Sequence, residues 1–385
     1  MMANGLEENE RGLIHIGLVI DAEDKVVYPW ANWLTKVLCQ ELEETFPDFL
    51  WRFSLLERQD FPKNVPVDPL VLLEFGSDIK IEYGFDYVLV LTSLSMKSRF
   101  NQGINAVPSN MLETAVITVC RILELKERKR QEKALLGLVR HCLGHLWGLE
   151  HQDKSVMKPK KFWTGEPPLE WTREEKVEIL HHLKKVADPR VEEKADISSS
   201  WRFYLKVLNQ EGRAIFKDIV LSRFLLMLFH LGRFTAATVV SIIFLFLSAE
   251  AWEMGAAVKS GWLNLVLVGV IFIATLSIYF GQNLHAIGRS DKMKEQAVRS
   301  RVVLLGTLFV GIVSFWINLF IISYLIINIL PEGVLAGWAG IDQARLPAFH
   351  FSKLMATFGV LASAVGGNLE EEQDIKALLV YTEET

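Results

Sequence analysis

The stretch His141-Cys142-Leu143-Gly144-His145-Leu146-Trp147-Gly148-Leu149-Glu150-His151 carries three imidazoles and a helix-ending glycine within eleven residues. His141 and His145 are four apart, so on an α-helix both rings project from one face and can grip a single ion. Gly148 permits the positive-φ turn that ends a helix, after which the chain doubles back and His151 can offer a third nitrogen. Three neutral imidazoles leave a fourth position for water, which distinguishes catalytic from closed structural zinc. With 9 histidines and 25 glycines in 385 residues, a chance match to this template has odds of roughly 3 in 10,000. The competing reading is three histidines satisfied by hydrogen bonds in a packed helix and turn.

Upstream of this stretch, Leu13–Asp21, Phe49–Leu56, Tyr87–Leu94 and Thr114–Val119 are apolar, β-branched or aromatic runs bounded by polar and turn residues, the pattern of strands. Helical patterns lie between and after them. Trp30–Phe46 places Trp33, Val37, Leu38 and Leu42 on one side, Lys126–Trp147 becomes apolar on one face, and Thr172–Val186 opens with an N-cap threonine and Glu174 and Glu175 in its first turn. The alternation predicts an α/β domain over residues 1–196, large enough for its own core.

The histidine stretch resembles the metzincin zinc-peptidase signature HExxHxxGxxH, and its surroundings are most similar to the archaemetzincin branch. There an alternating strand such as Thr114–Arg121 precedes the zinc helix, and a Val-Met, here Val156-Met157, follows the third histidine. The resemblance implies a zincin-like α/β (α+β) fold, one Zn2+ held by His141, His145 and His151, and peptide hydrolysis by zinc-activated water. It also implies Gly148 as structural support and Met157 as the floor beneath the metal. Two departures matter. Cys142 stands where the family has the glutamate that acts as general base, and loss of a general base typically costs 10² to 10⁴ in rate. Gln152 follows His151 and no cysteine occurs after Cys142, so the second structural zinc of the archaemetzincins is not expected. The thiol of Cys142 is too short to replace the glutamate; it is either a soft ligand near the metal or a small buried hydrophobe. Glu150 and Asp153 are the nearby carboxylates that could serve instead, although each reads more readily as a solvated loop residue.

Beyond residue 196 the chain changes character. No charged residue occurs from Trp262 to Gln282 or from Val302 to Leu330, and a shorter uncharged run covers Phe234–Ala249. At 1.5 Å per residue the longest run extends about 43 Å, more than the roughly 30 Å of a hydrocarbon layer. Spans are therefore expected near 234–252, 262–281 and 302–330, with interhelical hydrogen bonds from Asn264, Asn318 and Asn328. A basic juxtamembrane segment, 197–233, precedes them, and a tail over 331–385 holds a weak apolar stretch at 354–367. That stretch is short for a span, so the bundle is expected to have three helices, or four if it tilts or re-enters. Arg202, Lys206, Arg213, Lys217, Arg223 and Arg233 precede the first run, and Arg289, Lys292, Lys294, Arg299 and Arg301 lie between the second and third, against Lys259 alone between the first and second. The positive-inside rule then places the N-terminal domain in the cytoplasm. The acidic, polar Met1–Gly12 does not read as a signal peptide.

The overall composition, 50% hydrophobic and 23% charged, averages these two halves. A net charge of −5 gives no basic excess for nucleic acid, and Cys39, Cys120 and Cys142 are too few for a disulfide framework. The expected partners are a lipid bilayer and a peptide or protein, as substrate or as the target of a non-catalytic pseudopeptidase. His181-His182 and the basic run Lys126–Lys133 read as solvated helix surface.

Overall fold

The computed structural model describes residues 11–63, 65–97, 102–159, 170–187, 232–286, 294–331 and 348–368, with a few single positions besides. The basic segment from Arg202 to Arg223 lies outside these residues, as do Arg289 and Lys292. The chain divides into two compact units, the first mostly Met1–Phe203 and the second Tyr204–Arg289 with Val298–Leu379.

The first unit runs β1 (Gly12–Asp21), α1 (Tyr28–Thr45), β2 (Phe49–Arg58), α2 (Pro69–Tyr83), β3 (Tyr87–Thr92), the short strands β4 (Met96–Lys97), β5 (Gln102–Ile104) and β6 (Ala106–Ser109), β7 (Thr114–Thr118), α3 (Arg128–Leu146) and α4 (Arg173–Ala187). Its main sheet has the order β2-β1-β3-β7-β6, with β6 antiparallel to β7 and the other pairs parallel. Because side chains alternate across a strand, one face of the sheet presents Ile14, Ile16, Leu18, Tyr87, Leu89, Leu91, Ala115 and Ile117. These pack in one cluster with Leu34, Leu38 and Leu42 of α1, Leu135, Leu138 and Leu143 of α3, and Ile179 and Leu183 of α4. Each such side chain, fully buried, contributes roughly 1.5–3 kcal/mol. α2 covers the opposite face, close enough that a Cβ at Gly76 would fall 2.7 Å from both Val90 Cγ2 and Thr114 Cγ2.

Strand and helix patterning in the sequence matches β1, β2, β3, β7, α1, α3 and α4 to within a few residues. The sequence reading includes no helix at α2, although Glu74, Asp78 and Glu82, spaced four apart, form an exposed row opposite its buried residues. Its ends are nevertheless well specified: the Asp68 side chain accepts from Leu70 N–H, Pro69 occupies the first turn, and Gly84 closes the helix at φ 72°.

The second unit contains α5 (Gly232–Leu247), α6 (Ala249–Ala257), α7 (Ser260–Gly281), α8 (Lys294–Ile329) and α9 (Ala348–Asn368). Among the described residues, three stretches are long and apolar enough to cross a membrane: Ser260–Gly281, Arg301–Ile329 and Ala348–Gly366. This set differs from the sequence expectation at both ends. The run 234–252 is not one helix, because Ser248 adopts an extended backbone and caps a new helix by accepting from Ala251 N–H. Conversely, the tail stretch begins at Ala348 rather than 354, since Lys353, which appeared to bound it, lies inside α9 and hydrogen-bonds Asn264 of α7. Asn318 and Asn328 do not bridge helices as expected. Each amide reaches the carbonyl four residues back on its own helix, Ser314 at 2.8 Å and Tyr324 at 2.7 Å. Trp316 makes the cross-helix bond instead, donating to Thr357 Oγ1 at 3.3 Å.

Candidate metal centre

α3 delivers His141 and His145 one turn apart and then stops. Gly148, at φ 84°, turns the chain left-handed. Leu149 N–H closes back on Gly144 O at 2.9 Å and Gly148 N–H on His145 O at 3.0 Å, the paired bonds of a Schellman motif. The turn is anchored from below by Trp147, 1% exposed, whose ring lies 5.5 to 6.4 Å from those of Phe46, Trp51, Tyr87 and Trp171. The reversed chain brings His151 to the other two rings.

The three imidazoles converge through the same atom. His145 Nε2 lies 3.1 Å from His141 Nε2 and 3.1 Å from His151 Nε2. The opposite nitrogens of two rings are committed elsewhere: His141 Nδ1 is 2.8 Å from Val156 O and His145 Nδ1 is 3.0 Å from Leu149 O. A carbonyl can only accept, so each Nδ1 carries the proton and donates it. In the neutral rings Nε2 is then a bare lone pair, and the lone pairs of His141 and His145 face each other at 3.1 Å. Two acceptors so placed suit a shared cation, a metal ion or a proton. Nitrogen ligands 2.0–2.1 Å from a tetrahedral ion stand about 3.3 Å apart, close to the separations seen. The residues present thus fit a metal, and His141, His145 and His151 could hold one.

Met157 packs against α3 at Gly144. It is fully buried, and a Cβ on Gly144 would come within 2.3 Å of its sulfur, so the helix must be bare at that point. Val156, whose carbonyl holds His141, donates its own N–H to Glu170 O at 2.9 Å.

Cys142 is wholly buried and belongs to the apolar cluster beneath α3. Among the described residues, no thiol or carboxylate joins the three imidazoles as a ligand. Glu150 and Asp153 are exposed. Of the two histidines on α4, His181 is exposed, whereas His182 Nε2 lies 3.1 Å from the hydroxyl of the buried Tyr87 and is structural rather than solvated. The basic run at the start of α3 is held locally: Arg128 pairs with Glu132 and lies 3.4 Å over the Trp30 ring. Ser155 and Glu175, both buried and hydrogen-bonded at 2.6 Å, were not singled out as a pair from sequence. Only the Thr172-to-Glu175 spacing of a capping box hinted that Glu175 has a fixed partner.

No protein-family model and no curated protein matches the sequence. Among solved structures, an archaemetzincin from Methanopyrus kandleri matches 48% of this chain and 99% of its own, at 17% identity and TM-score 0.38. A zinc-dependent peptidase from Methanocorpusculum labreanum matches 43% of this chain and 99% of its own, at 16% identity and TM-score 0.34. An archaemetzincin from Archaeoglobus fulgidus, complexed with malonate, matches 43% and 99%, at 14% identity and TM-score 0.33.

Proposed function

We propose that the chain is a membrane-anchored zinc protein of metallopeptidase type whose hydrolytic activity is weakened or lost at position 142. The single observation that carries the metal is the convergence of the Nε2 atoms, with two Nδ1 protons tied to Val156 and Leu149 carbonyls. In this reading His141, His145 and His151 hold one Zn2+, Gly148 shapes the return of the chain, and Met157 supports the site. Zinc bound by three imidazoles supplies Lewis acidity and brings the pKa of a bound water toward about 7. What the chain does not supply is a base at residue 142, where the side chain is a thiol packed in the core.

That same observation favours a second reading, in which the domain is a non-catalytic zinc- or peptide-binding pseudopeptidase acting on a membrane partner. The two are separated by measuring zinc content and peptide turnover in the detergent-solubilised full-length protein and in its Cys142→Glu variant. One equivalent of zinc in both, lost in His145→Ala, with turnover rising 10² to 10⁴-fold in Cys142→Glu, is the expected result. Strong turnover in the unmodified protein that survives His145→Ala would refute the zinc mechanism.

The three long apolar helices support integration in a bilayer. The basic residues from Arg202 to Arg233 and from Arg289 to Arg301 support a cytoplasmic first unit in this reading.

A further inference from the structure

The segment Ser155–Met157 does not stand by itself. Glu175, in the first turn of α4 and 2% exposed, divides its carboxylate between two tasks. Oε2 accepts Thr172 N–H at 2.7 Å while Glu175 N–H reaches back to Thr172 Oγ1 at 3.3 Å, a reciprocal capping box that starts the helix. Oε1 accepts the hydroxyl proton of Ser155 at 2.6 Å. Having spent its proton there, the Ser155 oxygen accepts Met157 N–H at 3.0 Å. Between these two residues lies Val156, whose N–H is held by Glu170 O and whose carbonyl takes the Nδ1 proton of His141. Ser155, Met157 and His141 are all fully buried, so the chain of bonds is shielded from water.

We infer that Ser155 and Glu175 are positioning residues of the metal centre: through the backbone at 155–157 they fix the Val156 carbonyl and, with it, the tautomer and plane of the His141 ring. The inference rests on the metal-centre reading above. Groups that orient a ligating imidazole through its second nitrogen typically set metal affinity by 10 to 100-fold. The remote end of this relay is a helix that contributes no ligand, 20 residues further along the chain than Ser155.

The test uses the full-length protein in detergent, with Zn2+ affinity measured by competition against a chromophoric chelator and the ligand field read from the visible spectrum of the Co2+ form. Ser155→Ala and Glu175→Ala cut the relay at its two ends. Each is expected to weaken Zn2+ binding 10 to 100-fold and to alter the Co2+ spectrum, with the double variant no worse than the single ones. Thr172→Ala removes only the threonine side of the cap. It should lower the thermal midpoint yet leave Zn2+ affinity within about threefold. Should one relay variant fail to fold, the other end decides. Unmodified protein that binds Zn2+, with both relay variants binding equally well, overturns the inference while leaving the metal centre intact. So does a loss of affinity in Thr172→Ala equal to that in the relay variants, which would mark a general effect of helix stability. Unmodified protein that binds no Zn2+ overturns the metal-centre reading itself, and the inference with it.

Discussion

At position 144 the zinc-type helix is bare because Met157 fills the space a side chain would take, with the tip of Trp171 close behind. Gly144→Ala should therefore destabilise by overpacking, about 1–3 kcal/mol, read as a lowered midpoint in chemical denaturation. The same substitution in a Met157→Ala background should cost much less, because the two positions share one volume. Full additivity of the two effects would show that they do not touch. A second expectation concerns Cys142. Being wholly buried among apolar side chains, its thiol should resist alkylation in the native protein and react only after unfolding, as peptide mapping of the labelled protein would show. The clustering of His141, His145 and His151 was legible in the sequence because spacing alone brings the first two imidazoles to one helix face. Ser155 and Glu175 were not, since two isolated polar residues 20 apart read as solvated until the fold buries both.

At the scale of elements, legibility followed burial on one side. α1, α3 and α4 each show an apolar stripe and an exposed one, and their outlines could be read directly. α2 was not read from the sequence: eight of its fifteen residues are buried, and its signals are the caps and the exposed row Glu74, Asp78 and Glu82. Those caps offer a check: Asp68→Ala leaves Leu70 N–H without its acceptor and should cost roughly 1 kcal/mol, measurable as a shift in denaturation midpoint with unchanged cooperativity. In the apolar half, composition located helices but not their ends. A serine among apolar residues looks harmless in a span, yet Ser248 breaks one helix and starts another. A lysine looks like a boundary, yet Lys353 is accommodated within α9 because Asn264 meets it.

For the whole molecule, the recovered length of α9 bears on topology. If the broken α5–α6 segment and the three long helices all cross, four passages return the C-terminus to the side of the first unit. Compartment reporters at the N-terminus and after Asn368 should then agree, and one placed at Lys259 should disagree with both; a reporter at Lys259 that sided with the N-terminus would remove the first crossing. The order of elements also has a consequence in time. β1, near the start of the chain, is not enclosed until α4 is made, and the Ser155–Glu175 hydrogen bond forms only then. α4 ends at Ala187 and, among the described residues, the next helix, α5, begins at Gly232. At 5–20 residues per second, those intervening residues, about 45, give a lead of several seconds. Synthesis thus finishes the three histidines and the residues that hold their rings before α5 is made, so in the metal-centre reading the ion can be acquired before α5 inserts.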